Sequence, residues 1–295
     1  ILEQILFYKP NVIYFGNYSL LTKDLLKEIR KLNYVKLVMV FHCSPITSEI
    51  EKKLKLADIV ITCTDGYKKD IKKKIKKKAY KIAHAFNPVF KNIKNFEERK
   101  IDVSFIGSLY IKSGLHFNRI NFIYHLLKNF KNSYIAINFS MMNIFHILKL
   151  FMFSNSKLSL IEKLNIIFKL VYIMINSRKT VYGNKMLKIL SNTKILVNSH
   201  IEDTKYAGNM RLFEGTGSGC MILTDKKYGL NKLFSTNKEI ITYKNTQDMI
   251  YKIKYFLEND KKLRQVANNG FRRTVSDHNY KKRILILNKI IKKYL

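Results

Sequence analysis

An arginine and a glutamate three positions apart are the two residues of this chain best suited to bind one ligand together. Arg211 and Glu214 lie in the segment 209–220 (NMRLFEGTGSGC), between the apolar runs 195–197 and 221–223. Such runs on either side of a short segment predict a strand–helix–strand unit, and residues at i and i+3 share one helix face. A guanidinium can neutralise a diphosphate, and a carboxylate can accept hydrogen bonds from two ribose hydroxyls. The pair therefore indicates a binding site for a sugar nucleotide.

The alternative interpretation is a plain ion pair on a helix surface, which stabilises a helix by about 0.2–0.5 kcal/mol. Two observations favour binding. The chain has 55 basic residues against 21 acidic ones, so an acid at this position is uncommon. A glycine inside a helix costs about 1 kcal/mol relative to alanine, so glycines near the pair suggest that something approaches closely. These glycines are Gly208, Gly215, Gly217 and Gly219.

Two strand–loop junctions offer further groups for an anion. Gly107 and Ser108 follow an apolar run, where glycine lets the backbone approach a phosphate and serine donates a hydrogen bond. Many βα turns use the same residues, so this signal is weak. The loop 198–209 leads to the predicted Arg211 helix, whose free N–H groups and positive dipole end suit a diphosphate.

The elements that position these residues follow from a regular alternation along the chain. Apolar runs of four to seven residues separated by amphipathic segments predict parallel strands in βαβ units, buried on both faces. A polar segment, 87–100, links two such series. We therefore predict an α/β protein with two Rossmann-like, doubly wound domains, residues 1–90 and 101–278, facing a cleft that holds the ligand.

Charge and composition limit the classes of function. The 295-residue chain is 47% hydrophobic, which argues against disorder, and carries a formal charge of +34. That charge suggests nucleic-acid binding, but lysine outnumbers arginine and the charge is spread along the chain. We therefore expect attraction to anionic lipid or an anionic substrate instead.

The cysteines predict no metal centre. Cys43, Cys63 and Cys220 are odd in number and far apart, and each lies in or beside an apolar run. The sequence contains no Cys-x-x-Cys motif and no evident cluster of cysteine and histidine. We expect buried, reduced thiols, in keeping with a reducing cytoplasm.

The stretch 141–177 is unusually apolar but is interrupted by lysines. It contains no uninterrupted apolar run of the roughly 18–20 residues that span a bilayer, so a pair of amphipathic helices is the better interpretation. We expect core helices of the second domain, with a membrane-surface or partner-docking insertion as the alternative.

The motif residues resemble a known family. Residues 207–214 (AGNMRLFE), followed by Gly219 and 223–225 (LTD), are similar to the donor-site signature of group 1 glycosyltransferases with the GT-B fold. The similarity is closest to the branch named for the CgeB spore-maturation proteins. It extends to 102–108 (DVSFIGS) and to parts of the region 180–283.

The resemblance implies transfer of a sugar from a nucleoside-diphosphate sugar, without a bound metal or cofactor, to a glycan, lipid-linked or protein acceptor. It implies that Glu214 holds the ribose, with Arg211 and the Gly107–Ser108 turn near the diphosphate. The remaining donor-binding candidates are His200, Gly208 and Asn209.

One position departs from the family pattern. Many relatives carry a glutamate eight residues before the one that corresponds to Glu214, and here that position is Tyr206. Glu202 or Asp203 could substitute, although their spacing differs.

His42 is the first candidate for a catalytic base, because it follows an apolar run at a strand end that faces the predicted cleft. A near-neutral pKa suits removal of a proton from an acceptor hydroxyl, and a structural histidine is an equal alternative. Asp65 is the second candidate, or it caps the following helix. His84 and His116 are expected to be structural.

Further expectations follow from the family. A last helix in 279–295 is expected to cross back to the first domain. The chain begins at Ile1, and the first domain is expected to lack its opening strand. A cytoplasmic location is expected, with peripheral contact at the inner membrane face. A non-catalytic carbohydrate- or partner-binding module is the alternative function, and nucleic-acid binding is a weaker one.

Overall fold

The computed structural model describes residues 1–90, 93–109, 117–138, 159–200 and 204–295. It confirms the predicted fold class: two α/β domains, each built on a parallel sheet, face each other across a cleft. Glu202 and Asp203 lie outside the described residues, as does His116. The first two are the candidates named above to replace the missing glutamate.

The first domain contains a four-stranded parallel sheet in the order β1-β2-β3-β4. Its strands are β1 Val12–Phe15, β2 Leu37–Phe41, β3 Ile59–Thr62 and β4 Lys78–Lys81. Its helices are α1 Leu2–Tyr8, α2 Lys23–Arg30, α3 Ser48–Leu54 and α4 Asp65–Ile75. A threonine precedes each of the last three helices, and its hydroxyl accepts a hydrogen bond from an amide in the first turn.

The second domain contains a six-stranded parallel sheet in the order β10-β9-β8-β5-β6-β7. The strands are β5 Ile101–Ser108, β6 Ser133–Asn138, β7 Arg178–Lys179, β8 Thr193–Asn198, β9 Met221–Asp225 and β10 Ile241–Tyr243. The strand order reverses direction between β5 and β8. In sheets of this kind ligands bind beyond the carboxyl ends of the strands at such a reversal.

The helices of the second domain cover both faces of its sheet, and the last helix extends beyond it. Among the described residues these helices are α5 Phe117–Asn129, α6 Leu160–Asn176, α7 Gly183–Ser191, α8 Met210–Gly217, α9 Thr246–Glu258, α10 Asp260–Asp277 and α11 Tyr280–Ile291. One face packs against buried residues of α5, α6, α9 and α10, and the other against α7 and α8. The motif helix α8 therefore packs on one face of the second-domain sheet.

Two of the motif glycines serve packing. A Cβ atom on Gly215 would lie 2.3 Å from Ile222 and 2.4 Å from Leu196, both of which project from the sheet. A Cβ atom on Gly217 would lie 2.2 Å from the Phe86 ring. The expectation that these two glycines admit a ligand is therefore wrong, because protein side chains already occupy the space.

The apolar stretch 141–177 is described from residue 159 onwards, so its first part lies outside the described residues. In α6, Leu170 and Ile173 are buried against the second-domain core. The opposite side of the helix carries exposed large apolar residues. None of the helices in the described parts of the chain has the length and apolar character that crossing a membrane requires.

Helix α11 packs on the first domain. Ile290 is buried with residues of β2 and β3 on one face of the first sheet. Arg283 donates to the carbonyl oxygens of Ala83 at 2.8 Å and His84 at 3.2 Å. The end of the chain therefore joins the two domains.

Replacement of Ile290 by alanine tests this seating. Because Ile290 is 5% exposed, we expect Ile290→Ala to lower the free energy of unfolding in urea by about 2–5 kcal/mol. Ile284 lies on the same helix but is 61% exposed, so Ile284→Ala should change it by less than about 0.5 kcal/mol. Equal effects of the two substitutions would contradict the packing of α11 on the first sheet.

Candidate active site

A cleft of about 330 Å³ opens between the two domains, at the carboxyl ends of both sheets. The first domain contributes side chains that follow β2, β3 and β4, and the second contributes the ends of β5 and β8 with the loop before α8. The lining residues include Cys43, Cys63, Thr64, Tyr67 and His84 on one side, and Gly107, Ser108, Asn198, His200, Tyr206, Gly208, Asn209 and Arg211 on the other.

The two domains touch at the base of this cleft. Tyr67 and Tyr206 pack edge to face with ring centroids 5.2 Å apart, and the Tyr67 hydroxyl lies 3.3 Å from the hydroxyl of Thr204. Gly66 accommodates the Tyr206 ring, because a Cβ atom there would lie 2.1 Å from it. Tyr206 stands where relatives are expected to carry a glutamate, and here its ring joins the domains.

Arg211 lies on the second-domain wall of the cleft, in the first turn of α8. Its Nε donates to the carbonyl oxygen of Ile106 at 3.0 Å, and its Nη1 is ion-paired with Glu214. The side chain of Glu214 is mostly buried and is not among the described residues that line the cleft. The structure therefore shows the ion pair, with the guanidinium on the cavity side.

His200 is buried beside Asp225, at the end of the neighbouring strand. The carboxylate of Asp225 accepts from the His200 amide at 2.9 Å and lies 2.8 Å from the ring Nδ1. Burial by itself would raise the pKa of Asp225, but the hydrogen bonds and charge of His200 outweigh it and leave the pKa below its usual range. The Gly208 amide lies 3.4 Å from the ring Nε2, so this histidine also positions the loop before α8.

Arg119, in α5, holds the loops of the site together. Its Nη1 donates to the Ser108 carbonyl oxygen at 2.7 Å. Its Nη2 donates to the carbonyl oxygens of Ser199 at 2.9 Å and His200 at 3.1 Å. The guanidinium thereby links the ends of β5 and β8. The sequence analysis missed it, because nothing local marks an arginine within an amphipathic helix as buried.

A chain of amides orients the start of α8. The Asn209 side chain donates to Asn198 at 2.7 Å, and Asn198 donates to Thr224 at 2.8 Å. Asn209 is the N-cap residue of α8, but its side chain makes no capping hydrogen bond. The first amides of the helix are therefore left without a side-chain cap.

The two proposed catalytic residues do not line this cleft. His42 is 2% exposed, and its Nε2 lies 2.8 Å from the Ser44 carbonyl oxygen, because the chain turns tightly after β2 and folds the ring inwards. Burial lowers its pKa. Asp65 is ion-paired with Lys81 at 2.7 Å and lines an adjacent pocket rich in lysines. The hydrogen bond from Lys81 lowers the pKa of this carboxyl.

Two cysteines expected to be separate and reduced are brought together instead. Cys43 and Cys63 are paired as a disulfide, with Cα atoms 5.6 Å apart, whereas Cys220 is free and buried. The residues are distant in sequence but follow adjacent parallel strands, β2 and β3. His84, expected to be structural, reaches the same place after β4, and burial lowers its pKa to about 4.

Comparison with known proteins agrees with this architecture. A family model described as "Glycosyl transferase-like" matches residues 154–288, which is less than half of the chain. No curated protein matches the sequence significantly.

Many solved structures match the chain, and the three described here cover 96–99% of it. A glycosyltransferase from Rickettsia africae has a TM-score of 0.65 at 12% identity, over 99% of this chain and 79% of that one. Sucrose-phosphate synthase from Thermosynechococcus elongatus has a TM-score of 0.64 at 11% identity, over 99% and 75%. HepE from Anabaena in complex with UDP-glucose has a TM-score of 0.64 at 9% identity, over 96% and 79%. The chain has the GT-B fold of glycosyltransferases.

The pairing of Asp225 with His200 predicts a dependence of stability on pH. The pKa of Asp225 is lower in the folded protein than in the unfolded chain, where it is about 3.9. The ionised carboxylate therefore stabilises the fold above pH ~3.9, and this stabilisation is lost as the pH falls through the pKa of the folded protein. We expect Asp225→Asn to lower the free energy of unfolding at pH 7 by about 1.5–3 kcal/mol. Between about pH 5 and about pH 3, on either side of that unfolded pKa, the variant should lose less stability than the parent.

Asp277→Asn is the matched control, because Asp277 forms an exposed ion pair with Arg273. Its cost at pH 7 should stay below about 1 kcal/mol, with an acid response like that of the parent. If Asp225→Asn behaved like this control, the buried carboxylate–histidine pair would not stabilise the site.

Proposed function

We propose that the protein is a glycosyltransferase that moves a sugar from a nucleoside-diphosphate sugar to a glycan, lipid-linked or protein acceptor. The observation that carries the proposal is the convergence of six predicted donor-binding residues on one interdomain cleft at the β5–β8 reversal. They are Gly107, Ser108, His200, Gly208, Asn209 and Arg211. The UDP-glucose in the HepE structure supports a nucleotide-sugar as the donor.

The diphosphate of the donor is best accommodated at the start of α8. The amides of this first turn lack a side-chain cap, and the positive end of the helix dipole points to the cleft. Gly208 has a φ of 146°, and a Cβ atom on it would lie 3.0 Å from the Thr64 side chain on the opposite wall. Glycine therefore lets the loop before α8 approach that wall closely. Arg211 adds a fixed positive charge beside the same turn.

Glu214 does not line the cleft itself, but it is ion-paired with Arg211, which does, and we propose it as the ribose ligand. Its Oε2 pairs with Arg211, which leaves Oε1 to accept from a ribose hydroxyl. The same contact holds the guanidinium in place for the diphosphate. With Arg211 and the helix dipole to stabilise the leaving diphosphate, we propose that sugar transfer requires no bound metal or cofactor.

A binding module without turnover is the second candidate. Tyr206 occupies the position of an expected glutamate and joins the domains. Among the described residues that line the cleft, none carries a carboxylate. His42 is buried and Asp65 lines the adjacent pocket, so we do not propose either residue as the catalytic base.

Removal of the Arg211 guanidinium tests the donor site. Hydrogen bonds to charged groups contribute about 1.5–3 kcal/mol, so Arg211→Met should weaken binding of the preferred nucleotide-sugar by about 10- to 100-fold. Glu214→Gln should weaken it in the same direction. The measurement is calorimetric titration with UDP-, GDP-, ADP- and dTDP-sugars.

Arg264 provides the matched control, because it also pairs with an acid of its own helix, Asp260, but is not among the residues that line the cleft. Arg264→Met should bind the donor like the parent. Unchanged affinity in Arg211→Met and Glu214→Gln would refute the donor assignment. Donor binding without transfer or hydrolysis across an acceptor panel would favour the binding module.

We also propose the CgeB-like branch, on the motif residues 207–214, and an assignment to glycan assembly at the inner face of a membrane. The outer side of α6 supports the location. Large apolar side chains recur there at positions 161, 164, 168, 171 and 175, with exposed fractions from 48% to 78%. We call these five residues the α6 stripe.

Basic residues lie near the α6 stripe in the chain. Lys163 is on the same helix, and Arg178 and Lys179 follow it, whereas the Lys169 ammonium is turned to α5 and donates to Asn121 at 2.8 Å. An amphipathic helix that combines an apolar face with flanking cations inserts into the interface of an anionic membrane. The formal charge of +34 adds attraction over a longer range.

Polar substitutions in the α6 stripe test membrane contact. We expect the protein to sediment with phosphatidylglycerol vesicles at low salt, and Leu164→Gln with Phe168→Gln to weaken this about tenfold or more, because apolar burial is lost. Ile284→Gln with Leu285→Gln changes an equally exposed pair on α11 and should have little effect. Failure of the parent to bind these vesicles would overturn the membrane assignment.

A further inference from the structure

Three neighbouring strands of the first domain deliver three metal-binding side chains to one wall of the cleft. Cys43 follows β2, Cys63 follows β3 and His84 follows β4, and these strands are adjacent in the parallel sheet. We propose that the dithiol form of the protein binds a thiophilic divalent cation, Zn²⁺, through the sulfurs of Cys43 and Cys63 and a ring nitrogen of His84.

The spacing of the ligand atoms supports this site. The two sulfurs and a nitrogen of His84 lie within 4.8 Å of one another. Zinc binds sulfur at about 2.3 Å and imidazole nitrogen at about 2.0 Å, so its ligands lie within roughly 4 Å of each other. After reduction the two sulfurs must separate from bonding distance to that spacing, and a nitrogen of His84 already lies within 4.8 Å of both.

The donor set selects the ion. Thiolate and imidazole ligands favour zinc over magnesium or calcium, which prefer oxygen. Two thiolates also cancel the charge of the dication, which matters in a protein with a formal charge of +34. Cys63 is buried, whereas Cys43 and His84 are half-buried, and all three line the cleft. The fourth coordination position therefore opens to the cavity, as in zinc sites with three protein ligands.

The His84 ligand is held by its surroundings. Arg283 of α11 donates to the His84 carbonyl oxygen at 3.2 Å, and the ring packs edge to face on Phe41 at 5.6 Å between centroids. These contacts fix the backbone and restrict the ring. The His84 side chain therefore loses little conformational entropy when it binds a cation.

The disulfide and the metal site use the same sulfurs and exclude each other. A phosphine reductant delivers two electrons to the Cys43–Cys63 bond and is itself oxidised, with water, to the phosphine oxide. The bond breaks and each sulfur takes a proton. Binding of Zn²⁺ then displaces both thiol protons and joins the two sulfurs through the ion.

Cobalt binding by the 295-residue chain tests the proposal. The protein is reduced with a phosphine, stripped with a chelator, assayed for free thiols and titrated with Co²⁺. We expect about one equivalent to bind, with thiolate-to-cobalt charge-transfer bands and the visible bands of a tetrahedral ion. Zn²⁺ should displace the cobalt and remove both signals.

Variants assign the ligands. Cys43→Ser, Cys63→Ser and His84→Asn should each weaken Co²⁺ binding by about 100-fold or more, since loss of a supporting contact alone costs about 10- to 100-fold. Cys220→Ser is the control, because Cys220 is free and buried elsewhere, and it should keep both the affinity and the spectrum.

Thiol alkylation of the parent protein makes the test independent of the folding of any variant. Zn²⁺ should protect Cys43 and Cys63 from alkylation after reduction. Absence of Co²⁺ binding by the reduced parent, or equal alkylation with and without Zn²⁺, would overturn the site. Neither readout involves sugar transfer. A negative result would therefore overturn the metal site without affecting the proposed function.

Discussion

The cleft depends on one buried guanidinium that donates hydrogen bonds to backbone carbonyl oxygens of two loops. Arg119 donates to Ser108 at the end of β5 and to Ser199 and His200 after β8. Each carbonyl would otherwise have to be satisfied by water or by local backbone, at some cost to the order of the loop. Because β5 and β8 are the strands where the sheet reverses, this contact sets the shape of the site.

A second constraint comes from the end of the chain. His278 and Arg283 meet at the junction of α10 and α11, where Arg283 lies 2.8 Å from the ring Nδ1 and also donates to Ala83. Burial lowers the pKa of His278, which favours the neutral ring that accepts this hydrogen bond. The cleft thus has one wall from each sheet, and the last helix links the second domain to the first.

The walls differ in chemistry. The second-domain wall carries a helix N-terminus, a guanidinium and amide side chains, all suited to phosphate. The first-domain wall carries the Cys43–Cys63 disulfide and an imidazole, and after reduction these groups would suit a soft cation. Tyr67 and Tyr206 come from opposite walls and pack against each other, so this aromatic contact joins the two domains.

The alternation of strands and helices can be predicted from the sequence, and so can the grouping of six candidate residues on the second-domain wall of the cleft. Parallel strands buried on both faces are continuous apolar runs, and the groups around Arg211 are close in the chain or end a strand, so local pattern suffices to find them. The tertiary structure was needed to show that Cys43, Cys63 and His84 meet, that His42 turns away from the cleft, and that the buried Arg119 lines it. These outcomes depend on strand order and on how the chain turns after each strand. Contacts between residues far apart in sequence leave no periodic signal in the chain.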